Sequence, residues 1–245
     1  MIPLLLAVWV HGRPAVAETV LPPRIRRIVL HVPGGPSYAR PEQRWLFFKP
    51  EQTLALWKPH FGTHWILATD GSLWPRHPRV GEPASAPLPA TAPADAEWRQ
   101  KLAREAEPVY SHVYGDNPHS CGIEISHSGR SQDPFPPEQV RALAWLLRTL
   151  IGMSEGRLTP ASVVGHKDLD RRPAYASEDC ERSGCPLFAD AEGRPYRRRL
   201  DPPGSLFAAL VAEGFEVPRR PSGEDAELLR AEALPSGARP RRVSR

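Results

Sequence analysis

The sequence predicts an α/β fold of the α+β type, a single domain in which helices flank a central mixed β-sheet. Apolar runs of strand length recur along the chain, and one long helical pattern lies between two of them. The 245 residues suffice for one large core, and no internal repeat is visible. Hydrophobic residues make up 40% and charged residues 24%, which argues against wholesale disorder, a coiled coil or a collagen-like polymer.

The first half of the chain contains patterns for a strand, a helical segment and a hairpin. Residues 24–32 form a β-branched apolar run that predicts a buried strand. The partly helical spacing in 41–56 predicts one or two short helices, broken by Pro50. Two apolar runs flank Asp70 and Gly71, and this dipeptide strongly indicates a β-hairpin.

The second half predicts two more strands and two helices. Short apolar runs at 120–125 and 163–166 predict strands. Residues 139–151 carry apolar side chains at the three-and-four spacing of a helix, after Pro-Pro-Glu and before Gly152. A final short helix is predicted over 205–212.

The chain is predicted to form one main domain with an extension at each end. The domain spans residues 18–217, between a possible signal peptide at 1–17 and a basic tail at 218–245 that we expect to be disordered. The Pro- and Ala-rich segment 82–97 lacks periodicity and is predicted to be a long surface loop. Residues 169–196 are predicted to be a second, inserted loop.

The N-terminus resembles a secretory signal peptide. An apolar run from Met1 to Val10 is too short to span a bilayer. It is followed by an Ala-Val-Ala site ending at Ala17, although the usual basic residues at the start are missing. We therefore predict export to the periplasm or the extracellular space. The alternatives are a mis-chosen start codon or a buried first strand, and the protein would be cytoplasmic if residues 1–17 were not a signal peptide.

The distribution of charge argues about the binding partner, and the cysteine content bears on the cellular compartment. The 32 basic and 28 acidic residues give a net charge of +4. Arginines are scattered except near the C-terminus, which argues against nucleic-acid binding. Cys180 and Cys185 could close a small disulfide loop in an oxidising compartment, with Cys121 buried and free.

Two histidines and one aspartate have the residue types of a metal site. His31 and His166 each end an apolar strand, and Asp201 lies in Leu-Asp-Pro-Pro-Gly. Two imidazoles and one carboxylate are the ligands of an open catalytic zinc site, which keeps one position for water. A bound zinc ion lowers the pKa of that water toward about 7. The alternative is that both histidines are hydrogen-bonded structural residues.

Five motifs, in order, resemble the zinc-dependent N-acetylmuramoyl-L-alanine amidases of type 2, which share the peptidoglycan-recognition-protein fold. The motifs are Ile-Val-Leu-His31, His64-Trp-Ile-Leu with the following Asp-Gly turn, Asn117-Pro-His-Ser-Cys-Gly-Ile-Glu124, Gly165-His166-Lys-Asp168 and Arg199-Leu-Asp201-Pro-Pro-Gly204. The resemblance covers roughly residues 24–213. It implies an amidase-like catalytic domain that cleaves the bond between N-acetylmuramic acid and L-alanine in peptidoglycan or its fragments.

The resemblance also implies roles for individual residues. His31, His166 and Asp201 would hold one Zn²⁺ per chain, and Glu124 would act as the general acid and base. Substrate-binding roles are expected for His64 and Asn117, although His64 also suits a structural role and Asn117 a loop-shaping role. His112, His119 and His127 are weaker candidates for lining the groove. Peptidoglycan or a muropeptide is the expected partner, with no nucleic acid and no transmembrane span.

One departure from the family concerns the catalytic cation. Arg199 stands where the family usually has lysine, two positions before Asp201. Either cation can stabilise the oxyanion that develops as water adds to the carbonyl, so we assign Arg199 this catalytic role. Arginine cannot donate a proton at neutral pH. Lys167 is a weaker substitute, because neighbouring residues of a strand point to opposite faces.

Three functions therefore remain open at this level. The first is a cell-wall hydrolase, and the second is a peptidoglycan-binding module of the same fold that does not hydrolyse. The third is an envelope protein whose histidines are structural. Residues 169–196, which separate two of the expected ligands, would form either a wall of the substrate groove or a surface excursion held by the cysteines.

Overall fold

The computed structural model describes residues 20–32, 50–57, 60–76, 96–113, 115–127, 133–169, 171–173, 187–189, 192–198 and 201–217. The predicted signal peptide, nearly all of the Pro- and Ala-rich loop, the C-terminal tail, both loop cysteines and Arg199 lie outside these residues. Among the described residues, no helix has the length and apolar character needed to cross a membrane.

The main sheet has five strands in the order β3-β2-β4-β1-β5. Its strands are β1 (Arg27–His31), β2 (Trp65–Leu67), β3 (Leu73–Pro75), β4 (Ser120–Ile125) and β5 (Val163–Gly165). Strands β2, β4, β1 and β5 run parallel, and β3 pairs antiparallel with β2. The predicted mixed sheet is confirmed, and each predicted strand overlaps one of these five.

The hairpin between β2 and β3 is stabilised by the side chain of its turn aspartate. Asp70 Oδ1 accepts hydrogen bonds from the backbone N–H of Ser72 at 2.9 Å and from its hydroxyl at 2.6 Å. Gly71 has a φ of +81°, a conformation that glycine adopts without strain. The Asp-Gly pair therefore forms the turn that the sequence predicts.

In the part of the chain that the structure describes, five α-helices accompany the main sheet. They are α1 (Pro50–Leu56), α2 (Ala96–Glu105), α3 (Pro137–Gly152), α4 (His166–Leu169) and α5 (Gly204–Ala212). The predictions for α3 and α5 are confirmed within two residues at each end. Pro50 begins α1, because proline lacks only an N–H that the first turn does not use. Residues 41–49, the other part of the predicted helical segment, lie outside the described residues.

Helix α2 is absent from the sequence prediction, and it begins at Ala96, inside the segment assigned to a loop. Its buried residues are only Trp98, Leu102 and Ala103, so the apolar stripe is weak beside its many charged residues. The ring of Trp98 packs edge-to-face on Trp145 of α3, with 4.5 Å between ring centroids. Packing against α3 therefore stabilises α2 more than the weak apolar stripe of α2 would suggest.

The two faces of the main sheet differ in chemistry. One face contributes Ile28, Leu30, Trp65 and Ile123 to the apolar core shared with α3 and α5. Because strand side chains alternate, the intervening positions of β1 and β4 lie on the opposite face. His31 and Glu124 occupy such positions, so they lie on the face away from this core.

A second sheet occupies part of the predicted inserted loop at 169–196, within the residues that the structure describes. It contains β6 (Arg171–Pro173), β7 (Leu187–Ala189) and β8 (Pro195–Arg198) in the antiparallel order β6-β8-β7. The prediction of a loop is therefore wrong in part. All three strands are too short to show an alternating pattern, and β6 and β8 are also rich in arginine and proline, so only their pairing reveals them.

Candidate active site

The site lies where parallel strands end. His31 is the last residue of β1, and Glu124 stands directly opposite it in the register of β4. On the other side, β5 ends at Gly165, and His166 follows at once. The carboxyl ends of parallel strands meet at one edge of a sheet, which is where open α/β sheets bind ligands.

Three predicted metal ligands converge at this edge. His31 Nδ1 lies 3.0 Å from His166 Nδ1, which lies 3.1 Å from Asp201 Oδ2. The distance between His31 Nδ1 and Asp201 Oδ2 is 3.8 Å. All three residues are buried, with at most 6% of their surface exposed. The structure therefore brings together the His-His-Asp cluster that the sequence predicts.

The spacing of these atoms suits a zinc ion. Tetrahedral zinc with nitrogen and oxygen ligands at about 2.0–2.2 Å holds its ligand atoms about 3.3–3.6 Å apart. The three observed separations bracket that range. A buried carboxylate beside two imidazoles also needs a compensating charge, because water is excluded from these side chains. By distance and by charge, the residues fit a zinc ion.

The C-terminal segment is held against β5 by close packing. The backbone carbonyl of Asp201 accepts the N–H of Lys167 at 2.8 Å. A Cβ added at Gly165 would lie 2.9 Å from Pro202 Cδ and 2.9 Å from Asp168 Oδ2, which accepts the Gly165 N–H at 2.6 Å. Glycine at position 165 thus allows the aspartate ligand to approach.

His166 begins a short helix instead of ending a strand, which corrects the sequence prediction. The chain leaves β5 after Gly165 and turns into α4. Lys167 is consequently a helical residue with 3% exposure, and the argument from opposite faces of a strand does not apply to it. Position 199 is not described, so the role of Arg199 stays a prediction.

Glu124 lies on the same face of the sheet as His31, beside the edge that carries the His31, His166 and Asp201 cluster, here called the metal edge. It is 8% exposed and lies between His31 of β1 and Ile66 of β2 in the sheet register. Registered neighbours of parallel strands project to the same face. This placement is compatible with the predicted acid and base role, which stays a prediction.

His64 has a structural environment in this fold, as the structural alternative predicts, and its contacts give no support to a place in the substrate groove. It is 0% exposed. Its Nδ1 accepts the Gly122 N–H at 3.0 Å, and its Nε2 lies 3.0 Å from the carbonyl oxygen of Pro108. Burial is the main reason that its pKa is well below 6.5. Neither ring nitrogen is available to a ligand.

Asn117 shapes the loop that precedes β4. Its Oδ1 accepts the backbone N–H groups of His112 at 2.9 Å and of Val113 at 2.8 Å. This oxygen is therefore committed to the backbone, as the loop-shaping alternative predicts. The observed contacts give no support to a substrate-binding role for Asn117.

A fourth histidine, rated only a weak candidate from the sequence, touches the metal edge. His112 is 7% exposed, and its Nδ1 lies 3.1 Å from His31 Nε2. Burial lowers its pKa to about 3, with a further contribution from His166. No periodic pattern marks position 112, which lies outside every strand and helix. The nearest sequence indication is Asn117, which fixes its backbone.

The family model for N-acetylmuramoyl-L-alanine amidase matches residues 21–186. The chain therefore belongs to the N-acetylmuramoyl-L-alanine amidase family, of type 2. Membership supports an amidase activity on peptidoglycan. Asp201 lies beyond the matched residues, so its place beside the two histidines comes from the structure.

Several solved structures are similar to the chain. The endolysin amidase LysCS from Clostridium intestinale is 16% identical, with 62% of this chain and 73% of that chain covered and a TM-score of 0.33. AmiD from E. coli, in complex with anhydro-N-acetylmuramic acid-L-Ala-D-gamma-Glu-L-Lys, is 19% identical, with 71% and 62% covered and a TM-score of 0.36. AmpDh3 from Pseudomonas aeruginosa, in complex with anhydromuramic pentapeptide, is 18% identical, with 98% and 84% covered and a TM-score of 0.36. No curated protein matches the chain significantly.

Proposed function

We propose that the protein is a zinc-dependent hydrolase that cleaves the amide bond between N-acetylmuramic acid and L-alanine in peptidoglycan or its fragments. The observation that carries this proposal is the spacing of 3.0, 3.1 and 3.8 Å among the His31, His166 and Asp201 atoms. It occurs in a chain of the amidase family. Cell-wall degradation, remodelling or recycling would follow from this reaction.

The two histidines and the aspartate would hold the ion. When bound, zinc supplies a Lewis acid that activates water and polarises the substrate carbonyl. The protein's own contribution is to fix three donor atoms at one buried edge and to leave the remaining side for water and substrate. The aspartate also offsets one of the two positive charges, which lowers the cost of burying the ion.

Glu124 would move the proton. As water attacks the lactyl carbonyl carbon, the carboxylate accepts a proton from the water. As the carbon–nitrogen bond breaks, that proton passes to the nitrogen of L-alanine, which leaves as a free amine. The guanidinium of Arg199 would stabilise the negative charge that develops on the carbonyl oxygen.

Metal analysis combined with mass spectrometry of digested muropeptides tests the proposal. We expect about one zinc ion per wild-type chain and release of the free stem peptide. Because Asp201→Ala removes one ligand, that variant should lose both the zinc and the release. Bound zinc without release would favour the alternative, a peptidoglycan-binding module. Wild-type protein without zinc would contradict the metal assignment.

The substrate form is tested in the same assay. AmiD and AmpDh3 are solved with anhydromuramic peptides, which makes such fragments suitable substrates beside intact sacculi. Faster release from soluble fragments would point to recycling, and faster release from sacculi to remodelling or degradation.

Export through residues 1–17 remains a separate proposal, which N-terminal sequencing of the mature protein tests.

A further inference from the structure

His112 lies against the sheet at a position that a side chain on β4 would block. A Cβ added at Gly122 would come within 2.8 Å of His112 Nδ1 and within 2.9 Å of Thr63 Cγ2. The His112 ring therefore packs directly over the Gly122 backbone. From there its Nδ1 reaches His31 Nε2, the ring nitrogen of His31 that faces away from His166 and Asp201.

The hydrogen bonds around His112 have one consistent direction. A neutral imidazole has one donor and one acceptor nitrogen. If His31 Nδ1 offers its lone pair at the metal edge, Nε2 carries the proton and donates it to His112 Nδ1. His112 Nε2 then donates to Ser120 Oγ at 3.2 Å, and the Ser120 hydroxyl donates to the Asp116 carbonyl at 2.7 Å. Every donor in this relay has an acceptor, and the relay ends on the backbone.

The backbone around His112 is fixed as well. Asn117 holds the N–H groups of His112 and Val113, as described above. The carboxylate of Asp116 pairs with Arg27 of β1 at 2.8 Å. The relay therefore contacts β1 at two places, through His112 to His31 and through Asp116 to Arg27.

We propose that His112 is a positioning residue, which fixes the tautomer and ring orientation of His31 so that Nδ1 presents its lone pair at the metal edge. This inference rests on the proposed zinc site. Partners of this kind, which accept the second N–H of a ligating histidine, typically change metal affinity by about 10- to 100-fold when they are removed.

Two variants of almost equal shape separate this role from simple packing. His112→Leu and His112→Asn both replace the ring with a smaller side chain that branches at Cγ. Only asparagine keeps a hydrogen-bond acceptor near the position of Nδ1. The measurement is the zinc Kd of each full-length variant, by competition with a chelator. The free energy of unfolding of the zinc-free proteins shows whether the two variants lose equal stability.

We expect His112→Leu to bind zinc about 10- to 100-fold more weakly than wild type. His112→Asn should bind zinc at least several-fold more tightly than His112→Leu. Equal zinc Kd values for wild type and both variants would overturn the inference, and so would equal weakening in both variants, because packing alone would then explain the loss.

Failure of the proposed function would give a different pattern of zinc binding. Wild type would then bind no zinc, and both proposals would fall together. If wild type binds zinc, Asp201→Ala does not and the two His112 variants bind as wild type does, only the role of His112 is overturned. Should His112→Leu fail to fold, Ser120→Ala interrupts the relay one step further on. A wild-type zinc Kd in Ser120→Ala would then count against the relay, and so would a zinc Kd in His112→Asn as weak as that of Asp201→Ala.

Discussion

At the residue scale, the role of each side chain at the metal edge depends on which of its atoms contacts which neighbour. His31 has a different neighbour on each ring nitrogen, His166 at Nδ1 and His112 at Nε2. Glu124 stands opposite His31 in the register, on the same face of the sheet. Proton transfer is the role predicted for this carboxylate, and its place beside His31 is compatible with that role.

Glu124→Gln should abolish most of the activity while zinc stays bound. The amide has nearly the shape of the carboxylate but cannot accept the proton of the attacking water. We expect kcat/KM to fall by about 10²- to 10⁴-fold, with about one zinc ion per chain retained. Glu138→Gln is the control, because that exposed glutamate of α3 pairs only with Arg141 among the contacts seen here. Full activity of Glu124→Gln would eliminate the assigned role.

Secondary-structure elements bring these side chains together by close approach. Strand β5 ends in a glycine against which Asp168 and Pro202 pack at distances that no side chain would allow. The preceding residues of β5 pair with β1, so any displacement at Gly165 would also shift His166 relative to His31.

Gly165→Ala should therefore weaken both folding and metal binding. The added methyl group would overlap Asp168 and Pro202, and overpacking of this kind costs about 1–3 kcal/mol. Gly152→Ala at the end of α3 is a matched control, because a Cβ there meets nothing within 4 Å. Denaturant unfolding of the zinc-free proteins and the zinc Kd are the two measurements. Equal stability and equal Kd in wild type and Gly165→Ala would show that the close approach is unimportant.

At the scale of the whole molecule, buried histidines couple stability to pH. His64 is neutral in the folded state, with a pKa well below the ordinary value of 6.5. In the unfolded chain the ring takes up a proton once the pH falls below about 6.5, whereas the folded ring does not. The unfolded state then binds more protons, so stability is complete above this pH and is lost as the pH falls.

The zinc-free protein should lose up to about 1.4 kcal/mol of unfolding free energy per pH unit below pH ~6.5 from His64 alone. Urea denaturation between pH 5 and pH 8 measures this slope. His64→Gln carries no titratable ring, so its slope should be smaller than that of wild type by about that amount. Identical slopes for the two proteins would show that His64 does not stay neutral in the folded state. The chelator-treated protein is used because acid also releases metals from histidine ligands.

Much of the fold follows from local patterns in the sequence. The strand that ends at His31, the Asp-Gly hairpin, the strand that contains Glu124 and the long helix α3 all match their predicted positions. Each depends on periodicity or turn chemistry within a few residues, which a linear reading can detect. The ordered motifs likewise identify the family, because each consists of residue types at a fixed short spacing, which can be recognised without the tertiary structure.

The sequence thus determined the central sheet, its main helices, the family and the three residues that meet at the metal edge. Tertiary structure alone decided that both ring nitrogens of buried His64 contact the backbone and that His166 begins a helix. It also decided that part of 169–196 joins a second sheet and that His112 contacts His31. The reason is separation along the chain, since His112 lies 81 residues from His31 and His166 lies 135 residues from it. Such contacts form only when packing of the whole chain sets strand register and loop path, and no local pattern records them.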